Sequence, residues 1–132
     1  MAKYADCVME RDQHPLWEAP DGSRQVSSLI TKDHCGAESC CSGLWWLHPG
    51  RAGAPDLHLK ADEIYYVVSG EGRLLLGDEA YTVRKGMTIF IPRNVTHQTF
   101  NNGDEDLCYY WSFAPRPLEA AEQDAEGWKK LR

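Results

Sequence analysis

The feature of the sequence that most suggests chemistry is the stretch GRAGAPDLHLKADEIYYVVSGEG, which begins at Gly50. It places His58 between the carboxylates of Asp56 and Glu63, directly before the strand-forming run IYYVV. Carboxylates gathered inside a protein repel one another and lose their hydration unless a cation neutralises them. These residues therefore predict a divalent metal site.

The spacing of these residues predicts how strands would present them. Side chains two positions apart on a strand share a face, so Asp56 and His58 are expected to point the same way. Glu63 reaches that face only if the chain turns or bulges within LKAD. Beyond this turn, Glu63, Tyr65 and Val67 are expected to point inward and the residues between them outward.

A second stretch, GMTIFIPRNVTHQTFN, supplies a further candidate ligand. His97 heads an alternating run in which Thr99 and Asn101 share its face. Pro92 and Asn94 form the turn that precedes this run. The pattern adds a second imidazole to the predicted metal site.

Length and composition are those of an ordinary globular protein. The 132 residues suit one domain, and 42% hydrophobic with 26% charged residues indicates neither disorder nor a membrane protein. A net charge of -6 and a pI near 5.3 argue against a nucleic-acid partner, which would require a basic surface. The first residues lack the apolar core of a secretory signal, so a cytoplasmic protein is expected.

The cysteines agree with that compartment. An odd number, 5, with Cys40 beside Cys41, makes a poor disulfide framework, and cytosolic thiols stay reduced. The cluster of Cys35, Cys40 and Cys41 lacks the paired C-x2-C spacing of a zinc site. Packed or reactive thiols are expected there.

Short β-prone segments separated by Gly, Pro, Asn and Asp predict an all-β protein, either a sandwich or a barrel. The tetrapeptide GDEA predicts a hairpin at Gly77 and Asp78. The predicted strands are RQVSSLIT, SGLWWLHPG, EIYYVVSG, RLLLGD, AYTVRKG, MTIFIP, VTHQTFNN and LCYYWSFAP.

The C-terminal segment PLEAAEQDAEGWKKLR departs from the β pattern. Its apolar residues fall on one helical stripe, and its acidic residues precede its basic ones, as the helix dipole favours. A short helix is therefore expected over residues 117–131.

The expected organisation is a single domain over residues 1–132, with core motifs over 50–101 and an N-terminal arm over 1–42. The arm contains RQVSSLIT, which would leave an open sheet edge in a monomer. A homodimer that covers this edge is expected.

The two stretches resemble the paired motifs of the cupin superfamily, G-x5-H-x-H-x4-E-x6-G and G-x5-P-x-G-x2-H-x3-N. Asp56 stands where the first motif usually has a histidine, and Asn94 where the second usually has a glycine. The resemblance implies a small single-domain jelly-roll β-barrel. The matching positions are Gly50, His58, Glu63 and Gly70 in the first motif, and Gly86, Pro92, His97 and Asn101 in the second.

The resemblance implies one divalent metal ion per chain, bound by His58, Glu63 and His97, with Asp56 in the place of a fourth ligand. If Asp56 is a ligand, two imidazoles and two carboxylates suit Mn, Fe, Ni or Zn. If it is not, the remaining two-histidine, one-carboxylate triad is the arrangement of non-haem Fe(II) oxygenases. The sequence leaves both possibilities open.

Cupins host many activities, so function has to be argued from the site. The leading hypothesis is a metalloenzyme in which the ion acts as a Lewis acid on a small oxygenated substrate while Asp56 or Tyr65 moves a proton. Isomerase, lyase or cyclase activity would follow. The alternatives are an Fe(II) dioxygenase and a non-catalytic cupin that binds a sugar or another small ligand.

Aromatic residues on the predicted strands could line a substrate cavity. Tyr65, Tyr110 and either Trp45 or Trp46 are the candidates for such a wall.

Overall fold

Two antiparallel sheets face each other in the computed structural model, which describes residues 3–117 and 125–132. The helical elements in these ranges are two 3-10 turns, Ala5–Cys7 and Arg11–Gln13, and the helix α1, Lys32–Cys35. None of them is long enough to cross a membrane. The strands are β1 (Trp17–Glu18), β2 (Arg24–Ile30), β3 (Cys41–Leu47), β4 (Asp62–Ser69), β5 (Glu71–Leu76), β6 (Glu79–Arg84), β7 (Thr88–Ile91), β8 (His97–Phe100), β9 (Leu107–Ala114) and β10 (Lys129–Lys130).

The larger sheet has the strand order β10-β1-β2-β3-β9-β4-β7, and the smaller has the order β6-β5-β8. The core lies between them, because both sheets supply its fully buried side chains. This is a jelly-roll fold, as the sequence predicts. The core residues are Leu47, Val67, Leu74, Val83, Ile89, Ile91, Leu107 and Tyr109.

The eight predicted strands are confirmed as β2 to β9. Most of them are rich in β-branched or aromatic residues, whereas β5 has the apolar run Leu74 to Leu76. In β4, Glu63 and Val67 are buried while Ile64 and Tyr66 are exposed, which confirms the predicted alternation. The hairpin at GDEA is also confirmed. Gly77 takes a φ of 60°, and Leu76 pairs with Glu79 across the two-residue turn.

The segment before β4 is attached to the smaller sheet and so reaches the interior. Ala52 forms an isolated bridge with Phe100, and Asp56 forms another with His97. These two bridges align the first motif with β8, which carries the second motif. Asn101, just after β8, helps to fix this arrangement by donating hydrogen bonds of 2.8 Å to the carbonyls of Leu47 and Glu105.

The predicted C-terminal helix is wrong for residues 125–131, and residues 118–124 lie outside the described part of the chain. Gly127 takes a φ of 93°, which breaks a helix, and β10 follows it to pair with β1. Trp128 lies under the guanidinium of Arg24, 5.2 Å from it, instead of on a helical stripe. Pairing with the edge of β1 therefore takes the place of the expected helix.

The free strand edge from which a homodimer was expected is covered within the chain. RQVSSLIT forms β2, which lies between β1 and β3, and β10 extends the same sheet beyond β1. That argument for dimerisation is therefore wrong.

Candidate metal centre

Glu63 and His97 face each other between the two sheets. Glu63 lies near the start of β4 in the larger sheet, and His97 is the first residue of β8 in the smaller. Glu63 Oε1 is 3.1 Å from His97 Nε2, and the two side chains are only 5% and 4% exposed. The predicted buried face of His97, Thr99 and Asn101 is confirmed. The fold therefore buries a carboxylate against an imidazole.

Asp56 and His58 join this pair from the segment before β4. The bridge between Asp56 and His97 consists of two backbone hydrogen bonds of 2.9 Å. Asp56 Oδ2 lies 3.3 Å from His58 Nε2, which lies 3.7 Å from Glu63 Oε1. One possible ligand atom from each of Asp56, His58 and His97 lies within 4.8 Å of the others. The four predicted ligands are thus close together.

The backbone that carries Asp56 and His58 differs from the expected strand. Of these two residues, Asp56 forms a β-bridge and His58 does not. The backbone between Asp56 and β4 is irregular, with a bend at residues 59–60 within LKAD. Leu57 N donates to Asp56 Oδ1 at 2.8 Å, and Asn94 N donates to the His58 carbonyl at 2.7 Å. The expectation of a shared strand face is wrong, although the two side chains do meet.

Asn94 has a φ of 63°, the left-handed conformation that the family's glycine would adopt at this turn. The backbone N–H of Asn94 also donates a hydrogen bond to the His58 carbonyl. The substitution of Asn for Gly therefore preserves the turn between β7 and β8, which lies within the second motif.

The ring of His97 is held with its Nε2 towards Glu63. Its Nδ1 lies 3.1 Å from the carbonyl of Val95, a pure acceptor, so Nδ1 carries a proton. In the neutral ring, Nε2 is then unprotonated, and its lone pair faces a carboxylate oxygen of Glu63. Two acceptors at 3.1 Å require a shared proton or a cation between them.

The electrostatics of the group reflect this crowding. Burial raises the pKa of Glu63, and its contacts with the two imidazoles offset this only in part. Burial alone would lower the pKa of His97, but Glu63 and the Val95 carbonyl raise it above its ordinary value. Burial would likewise raise the pKa of Asp56, but the hydrogen bond and charge of His58 hold it below its ordinary value.

A divalent ion fits this donor set. Glu63 Oε1 is buried and, among the described residues, has no hydrogen bond of good geometry. Ligand atoms bonded to one ion at about 2.1 Å lie within about 4.2 Å of one another. The separations within the pairs Glu63–His97, Asp56–His58 and His58–Glu63, at 3.1, 3.3 and 3.7 Å, lie within that limit. Among the described residues, the group whose ligand atoms all lie within 4.8 Å of one another is Asp56, His58 and His97, without Glu63. The imidazole and carboxylate donors suit Mn, Fe, Ni or Zn.

The four candidate ligands line a cavity of about 740 Å³. Part of its wall is aromatic, formed by Trp45, Tyr65, Trp111 and Phe113, and the lining also includes polar and charged residues such as Arg24, Lys32 and Arg116. Phe113 contacts His58 edge-on with 4.5 Å between ring centroids. The volume and the apolar walls suit a small molecule with a flat or hydrophobic part.

Tyr65 and Trp45 line the cavity as predicted, but Tyr110 and Trp46 do not. Tyr110 hydrogen-bonds to Ser42 at 2.7 Å, and Trp46 lies under the guanidinium of Arg11. Their places in the wall are taken by Trp111 and Phe113, which the sequence reasoning missed. The alternation of β9 could have found both, because they share a face with the buried Tyr109.

The ring of Tyr65, the predicted proton carrier, stacks on that of Tyr109 at 4.2 Å. Its edge faces His97, with 6.2 Å between ring centroids. Tyr65 therefore lies beside the group of candidate ligands.

Of the predicted cysteine cluster, Cys35 and Cys40 do not line the cavity of the candidate ligands, whereas Cys41 does. Cys35 Sγ contacts the carbonyl of Thr31, Cys40 is exposed, and all five cysteines are free thiols. Cys41 lines the cavity, and burial raises its pKa to about 11. Cys41 is therefore a packed thiol rather than a reactive one.

Comparison with known proteins agrees with the fold. The family model for the cupin domain matches residues 43–113, more than half of the chain. Protein SchB of Streptomyces halstedii is 30% identical over 95 residues, which cover 70% of this chain and 69% of SchB. Polyketide synthase CurC of Streptomyces cyaneus is 31% identical over 95 residues, which cover 70% of this chain and 62% of CurC.

A solved structure extends the agreement in fold to most of the chain. The crystal structure of a predicted oxalate decarboxylase from Thermotoga maritima matches with a TM-score of 0.72 and 20% identity. The match covers 82% of this chain and 98% of that one. By its fold, its two motifs and the match of the family model, this chain belongs to the cupin family.

Proposed function

We propose that the chain is a metal-dependent enzyme acting on a small oxygenated substrate by Lewis-acid and proton-transfer chemistry, of the isomerase, lyase or cyclase type. One observation carries the proposal. The buried Glu63 carboxylate and the Nε2 atoms of His58 and His97 converge with Asp56 in a cavity lined by aromatic rings.

The proposed roles follow from the geometry of each residue. His58, Glu63 and His97 hold the ion, with His97 oriented by its contact with the Val95 carbonyl. When bound, the ion supplies Lewis-acid polarisation of a substrate oxygen. The aromatic walls hold the remainder of the substrate and limit the access of water.

Asp56 is the most accessible member of the group, with 56% of its side chain exposed against 13% for His58. Its lowered pKa keeps it ionised, which suits a fourth ligand and makes it a weak proton acceptor. Tyr65 lines the same cavity and is the second candidate to move a proton.

The relative named Polyketide synthase CurC supports a carbonyl-rich substrate, because polyketides carry repeated carbonyl oxygens. The test is proton exchange beside a carbonyl in a panel of hydroxyketones and 1,3-diketones, followed by NMR in deuterated water. Protein loaded with Mn, Ni or Zn is expected to speed deuterium incorporation into at least one compound. Rates equal to those of metal-stripped protein across the panel would contradict the proposal.

A dioxygenase is the second candidate, favoured by one observation. Glu63 Oε1 lies 3.7 Å from His58 Nε2 and 3.1 Å from His97 Nε2, which is a two-histidine, one-carboxylate group even without Asp56. Oxygen uptake by the Fe(II)-loaded protein with the same panel separates the two candidates. A protein that shows neither reaction would be the non-catalytic binding cupin.

Metal binding is expected to be coupled to proton release. Since the pKa of His97 is raised, its ring is protonated over a wider pH range, and an ion must displace that proton. The affinity for Zn or Ni should therefore fall as the pH is lowered from about 8 to about 6. Calorimetry in buffers of different ionisation enthalpy measures the number of protons released. A metal affinity that does not change over this pH range would contradict the assignment of His97 as a ligand.

A homodimer stays a prediction, now for a different reason. The outer face of β4 and β7 exposes Ile64, Tyr66 and Phe90, at 46%, 47% and 56%, and exposed apolar groups of this kind favour association. Sedimentation at micromolar concentration is expected to give twice the chain mass of 15.0 kDa. Phe90→Lys should yield the monomer, whereas Tyr81→Lys on β6 should not. A parent protein at the chain mass alone would contradict the prediction.

A further inference from the structure

Arg116 lines the cavity and, among the described residues, no hydrogen bond or ion pair is formed by its buried Nε. It lies two residues beyond β9 and lines the same cavity as the candidate ligands. Its Nε is buried and has no hydrogen-bond partner among the residues that the structure describes. A buried donor on a charged group is costly to leave unsatisfied, so such donors are normally paired.

The other cations of the cavity lining already have partners on the chain. Arg24 Nη1 donates to Ser23 Oγ at 2.9 Å. Lys32 Nζ lies 4.0 Å from a carboxylate oxygen of Glu38. Within the described ranges, Arg116 is the lysine or arginine of the cavity lining that pairs with no other side chain. The chain as a whole has a net charge of -6.

The position of Arg116 relates it to the metal centre. The thiol of Cys41 interacts electrostatically with both Glu63 and Arg116, so one residue of the cavity wall lies near both charges. Trp111 and Phe113 lie on β9, before Arg116 in the chain, with 5.7 Å between their ring centroids. The cavity thus combines the candidate metal ligands, an aromatic wall and a guanidinium whose Nε has no hydrogen-bond partner among the described residues.

We propose that Arg116 binds an anionic group of the substrate, a carboxylate or a phosphate, while the aromatic or apolar part of that molecule lies against Trp111 and Phe113. This inference rests on the proposed function, since it names the substrate class of the same cavity. A guanidinium suits this task because its fixed N–H groups match the oxygens of either anion. Arg116 is then a specificity-determining residue for substrates with a negative charge.

The test is calorimetric binding of two probes, benzoate and phenyl phosphate, with benzyl alcohol as the uncharged comparison. Arg116→Gln is expected to weaken binding of at least one anion by about 10- to 100-fold and to leave benzyl alcohol unchanged. Arg116→Lys should restore part of the loss. The anion that responds identifies the group as a carboxylate or a phosphate.

The matched control is Arg73→Gln, which removes the same charge from an exposed position on β5. It is expected to bind both anions like the parent. Equal anion binding by the parent and Arg116→Gln would overturn the proposal, as would an equal loss in Arg73→Gln. Failure of the parent to bind either anion at millimolar concentration would also overturn it.

The titrations are run on Zn-loaded and on metal-stripped protein, with metal content measured for every variant. Arg116→Gln is expected to retain full metal content and to lose anion affinity in both forms. If the parent binds no metal, the proposed function fails, yet the metal-stripped titrations still decide the role of Arg116. A loss that tracks metal content instead would overturn the assignment to Arg116.

Discussion

His97→Ala is expected to abolish binding of the divalent ion, lowering the affinity by at least about 100-fold. The reason is that His97 Nε2 is fixed at 3.1 Å from Glu63 Oε1, with its ring held through the Val95 carbonyl. Removing the ring takes away a ligand and leaves the buried carboxylate without its nearest positive partner. Elemental analysis of protein purified without chelators measures the result, and a parent value of about one ion per chain is expected.

A folding defect must be separated from a loss of ligand, because His97 is buried in β8. Circular dichroism and thermal unfolding compare the parent and His97→Ala, both stripped of metal, so that a difference reports folding alone. His48→Ala is the matched control. His48 Nδ1 lies 2.9 Å from Asp106 Oδ1, and neither residue is a proposed ligand. It should retain the ion. Full metal content in His97→Ala would show that the ligand is placed wrongly.

Asp56→Asn is expected to weaken metal binding by at least about tenfold, because it keeps the shape of the side chain and deletes its charge. The ionised carboxylate lies 3.3 Å from His58 and is the group's most exposed member. Retained metal with lost turnover would identify Asp56 as a proton acceptor instead. Metal titration and the proton-exchange assay together separate the two roles.

Asp56→His is the complementary variant, since it restores the histidine that most cupins have at this position. It should keep or strengthen binding of Ni, Cu or Zn through nitrogen ligation. If both variants bind metal and react like the parent, Asp56 is a solvated loop residue and its assignment to the site is wrong.

The parts of the fold that local chemistry determines could be predicted from the sequence. Strands β2 to β9 follow from short apolar runs, most of them β-branched or aromatic, between turn residues. The inward positions of Glu63 and Val67 follow from the two-residue repeat. The gathering of Glu63 with His97 depends on two sheets that meet in space. It was accessible only through the resemblance to a known pair of motifs.

Features that depend on tertiary contacts were missed. The helical pattern of the C-terminal segment gave way, in its described residues, to strand pairing with β1 beyond Gly127. Asp56 and His58 meet through a bridge and local hydrogen bonds rather than along one strand. Arg116 belongs to no motif, and only the folded cavity reveals that its Nε is buried and has no hydrogen-bond partner among the described residues.

The most direct test of the account is a crystal structure of the metal-loaded protein with an anomalous difference map collected at the absorption edge of the ion. The account predicts one peak per chain, within about 2.0 to 2.3 Å of Nε2 of His58, Nε2 of His97 and an oxygen of Glu63. A peak that also contacts Asp56 would make it the fourth ligand. A map without a peak among these residues, from crystals grown in excess metal, would contradict the central claim that this cluster is a metal centre.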